Sequence, residues 1–108
     1  MKGTVEAVKS DPNHDPELEW NDAKAETNLR RHGVSFEEAG SVFLDPLARI
    51  FDDPSHSTLE QREIIIGHSC ADRLLLVCFT ERRKRVIRVF SARPATKRER
   101  KDYEENTA

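Results

Sequence analysis

The sequence predicts an α+β domain with two N-terminal helices and a C-terminal helix packed on a four-stranded, mainly antiparallel sheet. Three observations support this prediction. Segments with helix caps and helical apolar spacing precede residue 47, short apolar runs separated by turn-forming residues fill positions 47–91, and a capped segment follows residue 94. The 108 residues, of which 36% are hydrophobic and 35% charged, suit one globular domain with a highly charged surface.

We expect residues 1–17 to form a polar, flexible extension and residues 18–108 to form a single domain. Turn-forming residues are dense from Ser10 to Pro16, as is typical of a boundary. The chain has no apolar signal-peptide core and no run near the roughly 18 apolar residues of a membrane helix, so we expect a cytoplasmic protein without a membrane partner. Cys70 and Cys78 have no Cys-x-x-Cys spacing, and we expect reduced thiols, no metal site and no cofactor.

The first helix is predicted over Ala23–Arg31. Asn21 or Asp22 can cap its N-terminus, because a short polar side chain accepts a hydrogen bond from a free amide of the first turn. The helix is expected to stop at His32-Gly33, where glycine suits the left-handed conformation that follows a helix end.

A second helix is predicted directly afterwards, from the capping box Ser35-Phe36-Glu37-Glu38 to Leu44. In such a box the two outer side chains each bond the other residue's free backbone amide. An apolar stripe at helical spacing then faces the sheet, made by Phe36, Ala39, Gly40, Phe43 and Leu44. Asp45-Pro46 is expected to end the helix, since proline disfavours helical backbone in the preceding residue.

The sheet is predicted from four apolar runs. A short strand at Leu47–Phe51 forms one edge, and a polar loop at Asp52–Ser57 follows it. The other three strands form an antiparallel meander over Arg62–His68, Arg73–Thr80 and Arg85–Ser91.

The C-terminal segment is predicted to be a helix that begins after Pro94 with the capping box Thr96-Lys97-Arg98-Glu99. Its first turns are cationic and its end is acidic, which opposes the helix dipole. The window from Arg82 to Lys101 contains ten Lys or Arg and one acid, whereas Met1–Glu81 carries a net charge of −8. This asymmetry points to a polyanionic partner, most commonly nucleic acid, and a solvated basic surface is the alternative interpretation.

Three groups of side chains are candidates for chemistry. One helical face carries residues at i, i+4 and i+8 that can grip a phosphate and move a proton: Lys24, Asn28 and His32, with Arg31 beside them. The approach to the first central strand carries an acid, a base and a cation: His56, Glu60 and Arg62. Each of these two groups can equally be a solvated surface.

The third group lies on the last strand and comprises Arg85, Arg88, Ser91 and Arg93. Regular alternation predicts that Arg88 projects to the side opposite the other three. An arginine among apolar neighbours in an inner strand is costly unless it is paired or binds an anion, so Arg88 is the strongest local indication of a phosphate site.

An ordered set of short motifs runs from Leu18 to Tyr103. It opens with Trp20-Asn21-x-x-Lys24-x-x-x-Asn28-x-x-Arg31-His32-Gly33-Val34-x-Phe36-x-x-Ala39 and closes with Arg88-Val89-Phe90-Ser91-Ala92-Arg93-x-Ala95-x-x-x-Glu99. This set resembles the signature of BrnT-type toxins, with Trp20-Asn21 in place of the family's usual Trp-Asp pair.

The resemblance implies a fold like that of RelE toxins, with helices on one face of the sheet and the other face open to RNA. It also implies a ribonuclease toxin that blocks translation and is neutralised by a cognate BrnA-type antitoxin, with operator DNA contacted only through the antitoxin complex. A non-catalytic module that binds nucleic acid or a partner through the basic C-terminal segment is the alternative.

The expected reaction is metal-independent attack of a ribose 2′-oxygen on the adjacent phosphate, which needs a base, an acid and cations. Charge stabilisation is assigned to Arg62, Arg88 and Arg93, and the acid and base roles stay open among His32, His56 and Glu60. Lys24 can hold a phosphate or assist as base. The remaining expected contacts to RNA are made by Arg31, Arg85, Ser91, Lys97 and Arg98.

Overall fold

The computed structural model describes residues 16–57 and 61–107, and it confirms the α+β class. Residues 1–15 of the predicted extension lie outside the described residues. The helices are α1 (Asp22–His32), α2 (Phe36–Ser41) and α3 (Lys97–Thr107), and a 3₁₀ turn at Val42–Leu44 follows α2. The strands are β1 (Glu17–Glu19), β2 (Arg49–Ser57), β3 (Gln61–His68), β4 (Leu74–Arg83) and β5 (Val86–Pro94). No helix within these described ranges has the length and apolar content that a membrane crossing requires.

The sheet has five strands in the order β1-β5-β4-β3-β2, so the prediction of four strands was wrong. β1 pairs in parallel with β5, whereas the other neighbours are antiparallel. A strand of three residues is too short to show an alternating pattern, which is why the sequence did not indicate β1.

The predicted polar loop at Asp52–Ser57 was also wrong, because β2 continues to Ser57. Its register against β3 shifts between Asp52 and Ser57. β2 lies at the edge of the sheet, where Pro54 and neighbouring polar residues are tolerated since one side of the strand needs no partner.

Both faces of the sheet are covered in part. On one face α1 and α2 enclose the larger core, in which Val34 and Phe36 pack with residues of β3, β4 and β5 such as Ile65, Val77 and Val89. On the other face Tyr103 of α3 packs against a smaller cluster formed by Ile66, Leu74 and Leu76. The structure therefore differs from the expectation of helices on one face only, because β3 and β4 are apolar on both sides.

Local caps explain the positions of the helices. Asn21 accepts a hydrogen bond from the Lys24 backbone N–H at 3.0 Å, and Gly33 ends α1 with a φ of 68°. Ser35 accepts from the Glu38 N–H at 3.0 Å, which confirms one half of the predicted capping box. The Glu38 carboxylate is held instead by Arg73, with Oε1 2.6 Å from Nη2, and this contact keeps the pKa of Glu38 below its usual value.

At the end of the second helix the buried residue differs from the prediction, which placed Leu44 in the apolar stripe that faces the sheet. The chain tightens into the 3₁₀ turn, and Val42 is fully buried whereas Leu44 is 54% exposed. A turn of three residues replaces a turn of 3.6, so the buried side rotates toward Val42.

Candidate functional site

A β-bulge in β5 determines which side chains share a face. Ser91 lies opposite Cys78 and Val89 lies opposite Phe79, so Phe90 is an extra residue in the β5 strand. At such a bulge two consecutive side chains point to the same side of the sheet. The alternation of β5 side chains between the two faces of the sheet is therefore shifted by one residue after Phe90. No local sequence pattern indicated this shift.

The shift brings three of the predicted residues together. Arg88, Ser91 and Arg93 lie opposite Thr80, Cys78 and Leu76, which alternate along one side of β4. The prediction that Arg88 projects away from Ser91 and Arg93 was wrong for this reason. We call this side the arginine face; it carries Arg62, Arg88, Ser91 and Arg93.

Arg62 belongs to the arginine face because its neighbour Glu63 lies opposite Phe79, on the other side of the sheet. Its guanidinium carbon lies 3.9 Å from the centre of the Phe90 ring. Its Nε is buried without a hydrogen-bond partner among the described residues. Arg62 is thus a half-buried cation held by an aromatic ring.

Arg88 is held by a carboxylate from the adjacent strand. Its Nη1 lies 3.5 Å from Oε1 of Glu19, and Nη1 of Arg82 lies 3.6 Å from the same oxygen. At these distances the contacts are loose ion pairs, so an anion can compete for Arg88. β1, which the sequence did not indicate, supplies this partner.

Arg93 is more strongly engaged. Nη1 and Nη2 donate to the two carboxylate oxygens of Glu99, each at 2.8 Å. This fork lowers the pKa of Glu99 to about 2 and raises the pKa of Arg93. Glu99 also accepts from the Thr96 N–H at 2.8 Å while its own N–H donates to Thr96 Oγ1 at 3.1 Å, so the predicted capping box is confirmed.

One wall of the site is α1, which the Asn28 side chain attaches to β5. Its amide nitrogen donates to the carbonyls of Ala92 (2.8 Å) and Val34 (3.0 Å), and its oxygen accepts from the Ala92 N–H at 3.1 Å. Asn28 therefore serves the backbone of β5 as a neighbouring strand would. The hypothesis that it grips a phosphate was wrong, since all three bonds are used within the protein.

A cavity of about 310 Å³ lies between α1 and the bulge. The predicted helical face does line it, and its polar lining includes Lys24, Thr27, Arg31, His32 and Ser91. The Phe90 ring also lines the cavity and lies 5.8 Å from Nζ of Lys24. Cations, a histidine and an aromatic ring thus meet beside the arginine face.

The remaining candidates lie apart from this cavity or beyond the description. Lys97 and Arg98 are exposed in the first turn of α3, and Arg85 lies in the turn before β5 with a φ of 62°. His56 falls within β2, but its side chain is not described, and Glu60 lies outside the described residues. Phe90 was not predicted as a site residue, although an aromatic residue among cations is typical of surfaces that bind nucleic acid.

Comparison with known proteins identifies relatives. Residues 20–99 match the family described as the ribonuclease toxin BrnT of type II toxin–antitoxin systems. The crystal structure of the Brucella abortus ribonuclease toxin BrnT is similar, with a TM-score of 0.58 and 21% sequence identity over 76% of this chain and 99% of that one. This likeness establishes a shared fold. No curated protein matches the sequence.

Proposed function

The chain belongs to the BrnT family of ribonuclease toxins of type II toxin–antitoxin systems, and from this membership we propose that it is a metal-independent endoribonuclease that cleaves RNA and inhibits translation in the cytoplasm. The observation that carries the proposal is the shared face of Arg62, Arg88 and Arg93 beside a cavity lined by Lys24 and His32.

In the proposed reaction the ribose 2′-oxygen attacks the adjacent phosphorus and the bond to the 5′-oxygen breaks, leaving a 2′,3′-cyclic phosphate and a 5′-hydroxyl. Negative charge builds up on the phosphate oxygens as the new bond forms, so fixed cations lower the barrier. Arg62 and Arg88 supply this charge, and Arg93 adds to it from its pair with Glu99. The planar fork of a guanidinium matches two phosphate oxygens.

The proton transfers need a base for the 2′-hydroxyl and an acid for the leaving 5′-oxygen. His32 ends α1 at the cavity and is half-buried, so it is a candidate for one of these roles. His56 and Glu60 remain candidates for the other. Lys24 and Arg31 line the same cavity, and in this proposal they hold phosphates that flank the scissile one.

RNA binding extends beyond the cavity in this proposal. Ser91 contacts the substrate at the bulge, and the half-buried Arg85 and the exposed Lys97 and Arg98 attract the RNA backbone at longer range. Among the described residues, no three His, Cys, Asp or Glu side chains are grouped in a way that could hold a metal ion.

The partner proposed for neutralisation is a cognate BrnA-type antitoxin with an acidic or mixed surface that covers the arginine face. Operator DNA is then contacted through the antitoxin and not by this chain alone. In this proposal the antitoxin inactivates the toxin by covering the arginine face.

Inducible expression in a bacterium, with and without the adjacent gene, tests the proposal. Wild type should arrest growth, and co-expression of the neighbour should relieve the arrest. Arg88→Ala should abolish the arrest, and the variant should still co-purify with the antitoxin because the rest of the arginine face is unchanged. Arg30→Ala is the matched control, because Arg30 is an exposed cation of α1 whose partner is Glu26. Growth arrest by a folded Arg88→Ala variant at wild-type strength would overturn the assignment.

Purified protein separates the proposal from its alternative. A non-catalytic module would bind RNA with a steep salt dependence but leave the RNA intact. The nuclease produces fragments in the presence of EDTA.

A further inference from the structure

Arg62 and Phe90 form a contact that neither the family match nor the proposed reaction assigns. The two residues come from β3 and β5, which are separated by β4, and they meet because the bulge places Phe90 on the arginine face. The distance of 3.9 Å from Cζ of Arg62 to the centre of the ring is that of a stacked cation–π contact.

The kind of partner distinguishes Arg62 from the other arginines of this face. Arg88 lies against Glu19, and Arg93 donates two hydrogen bonds to Glu99. Arg62 has no carboxylate partner within residues 16–57 and 61–107. Its guanidinium instead faces the partly negative face of the Phe90 ring.

A ring contact leaves the hydrogen-bonding capacity of a guanidinium unused. All five N–H groups of arginine lie in the plane of the guanidinium, whereas a stacked ring lies above that plane. A carboxylate would occupy one edge of the fork, as Glu99 does for Arg93. Phe90 can therefore fix the position of Arg62 without competing with a phosphate for its donors.

We propose that Phe90 is a positioning residue that holds Arg62 in place, with its Nε buried and the N–H groups of Nη1 and Nη2 free to bind the scissile phosphate. This inference rests on the proposed ribonuclease function and adds a residue to it. The half-buried ring also lines the α1 cavity, so it fixes Arg62 at the border between the cavity and the arginine face.

Steady-state cleavage of an RNA oligonucleotide tests the role. Phe90→Leu keeps an apolar side chain but removes the ring, and kcat should fall between about 3- and 30-fold with little change in KM. Phe90→Tyr keeps the ring and should restore most of kcat. Ile50→Leu is the control, because Ile50 is an exposed apolar residue of β2 that lies opposite Ile65, on the other side of the sheet from the arginine face, and it should stay within about twofold of wild type.

A double-mutant cycle shows whether Phe90 acts through Arg62. In an Arg62→Ala background the Phe90→Leu substitution should produce no further loss, since the group that it positions is absent. Equal losses in both backgrounds would overturn the inference, and so would a Phe90→Leu variant with wild-type kcat.

The contact itself can be measured without RNA. The ring current of Phe90 should shift the side-chain NMR resonances of Arg62 upfield in wild type and in Phe90→Tyr, and the shift should vanish in Phe90→Leu. If wild type cuts RNA but Arg62 shows no such shift, the inference fails and the proposed function stands. If the shift is present but wild type leaves RNA intact, the proposed function fails and the catalytic role of the contact fails with it.

Discussion

Replacing Asn28 with alanine removes the side chain that joins α1 to β5. The substitution leaves the Ala92 N–H and the carbonyls of Ala92 and Val34 without their partners, at a position where Asn28 is only 6% exposed. Each such bond contributes roughly 0.5–1.5 kcal/mol net, so the three together predict a loss of about 3 kcal/mol in the free energy of unfolding. With a urea m-value of roughly 1.5 kcal/mol/M, the unfolding midpoint should fall by about 2 M.

Urea unfolding followed by far-UV circular dichroism measures this shift, with Thr27→Ala as the control. Thr27 is the preceding residue of α1 and is exposed, so its substitution should change stability by less than about 0.5 kcal/mol. A midpoint for Asn28→Ala that equals that of Thr27→Ala would refute the reasoning. It would mean that the edge of β5 needs no side-chain partner at Ala92.

Two further substitutions test other contacts, one between Arg93 and Glu99 and one between β3 and the segment at Asp45–Ala48. Glu99→Gln should lower the free energy of unfolding by about 1 kcal/mol at pH 6. The shift of the Glu99 pKa from 4.5 to about 2 corresponds to about 3 kcal/mol without solvent screening. Solvent screens the pair, because the Arg93 side chain is 40% exposed, so we expect only part of this energy. A lowered carboxyl pKa stabilises the fold above pH 4.5, and that stability is lost as the pH falls toward 2. The stabilities of wild type and variant should therefore converge in acid unfolding. A difference in stability that stays constant with pH would contradict the pairing. Gly67→Ala should cost roughly 1–3 kcal/mol in thermal unfolding, because an added Cβ would lie 2.8 Å from Cβ of Ala48 and 3.0 Å from Oδ2 of Asp45. An unchanged melting temperature would show that the segment at Asp45–Ala48 shifts freely.

Local chemistry made much of this fold predictable from the sequence. Asn21, Gly33 and Ser35 act within a few residues of their own positions, so their cap roles follow from residue type and spacing. The apolar runs of β3 and β4 are long enough to predict strands. Such features need no knowledge of distant partners.

Long-range pairing set the features that the sequence did not predict. β1 is a strand only because three residues align with Val86–Arg88, and β2 continues through a polar segment because β3 lies beside it. The bulge at Phe90 depends on the register between β4 and β5, and no glycine marks it. A strand without a bulge would place Ser91 and Arg93 on the face opposite Arg88, so the prediction from regular alternation put them on the wrong face.

The residue types of the candidate site were predictable from the sequence, but the contacts that its arginines make with other side chains were not. Lys24, Arg31 and His32 share a helical face, and the structure brings that face to the cavity. The partners that hold the arginines come from β1, from the bulge and from α3. These partners decide which guanidinium of the arginine face is free to bind an anion. In the described part of the chain, Arg62 is the arginine of that face held without a carboxylate.

Cleavage of a defined RNA by wild type and by Arg62→Ala, both in excess EDTA, tests most directly the claim that guanidinium groups on one face of the sheet promote phosphodiester cleavage. We predict that wild type yields fragments with 2′,3′-cyclic phosphate and 5′-hydroxyl ends, and that Arg62→Ala cuts RNA more slowly by a factor of about 100 or more. Intact RNA with folded wild-type protein, or equal cleavage rates for the two proteins, would contradict the account.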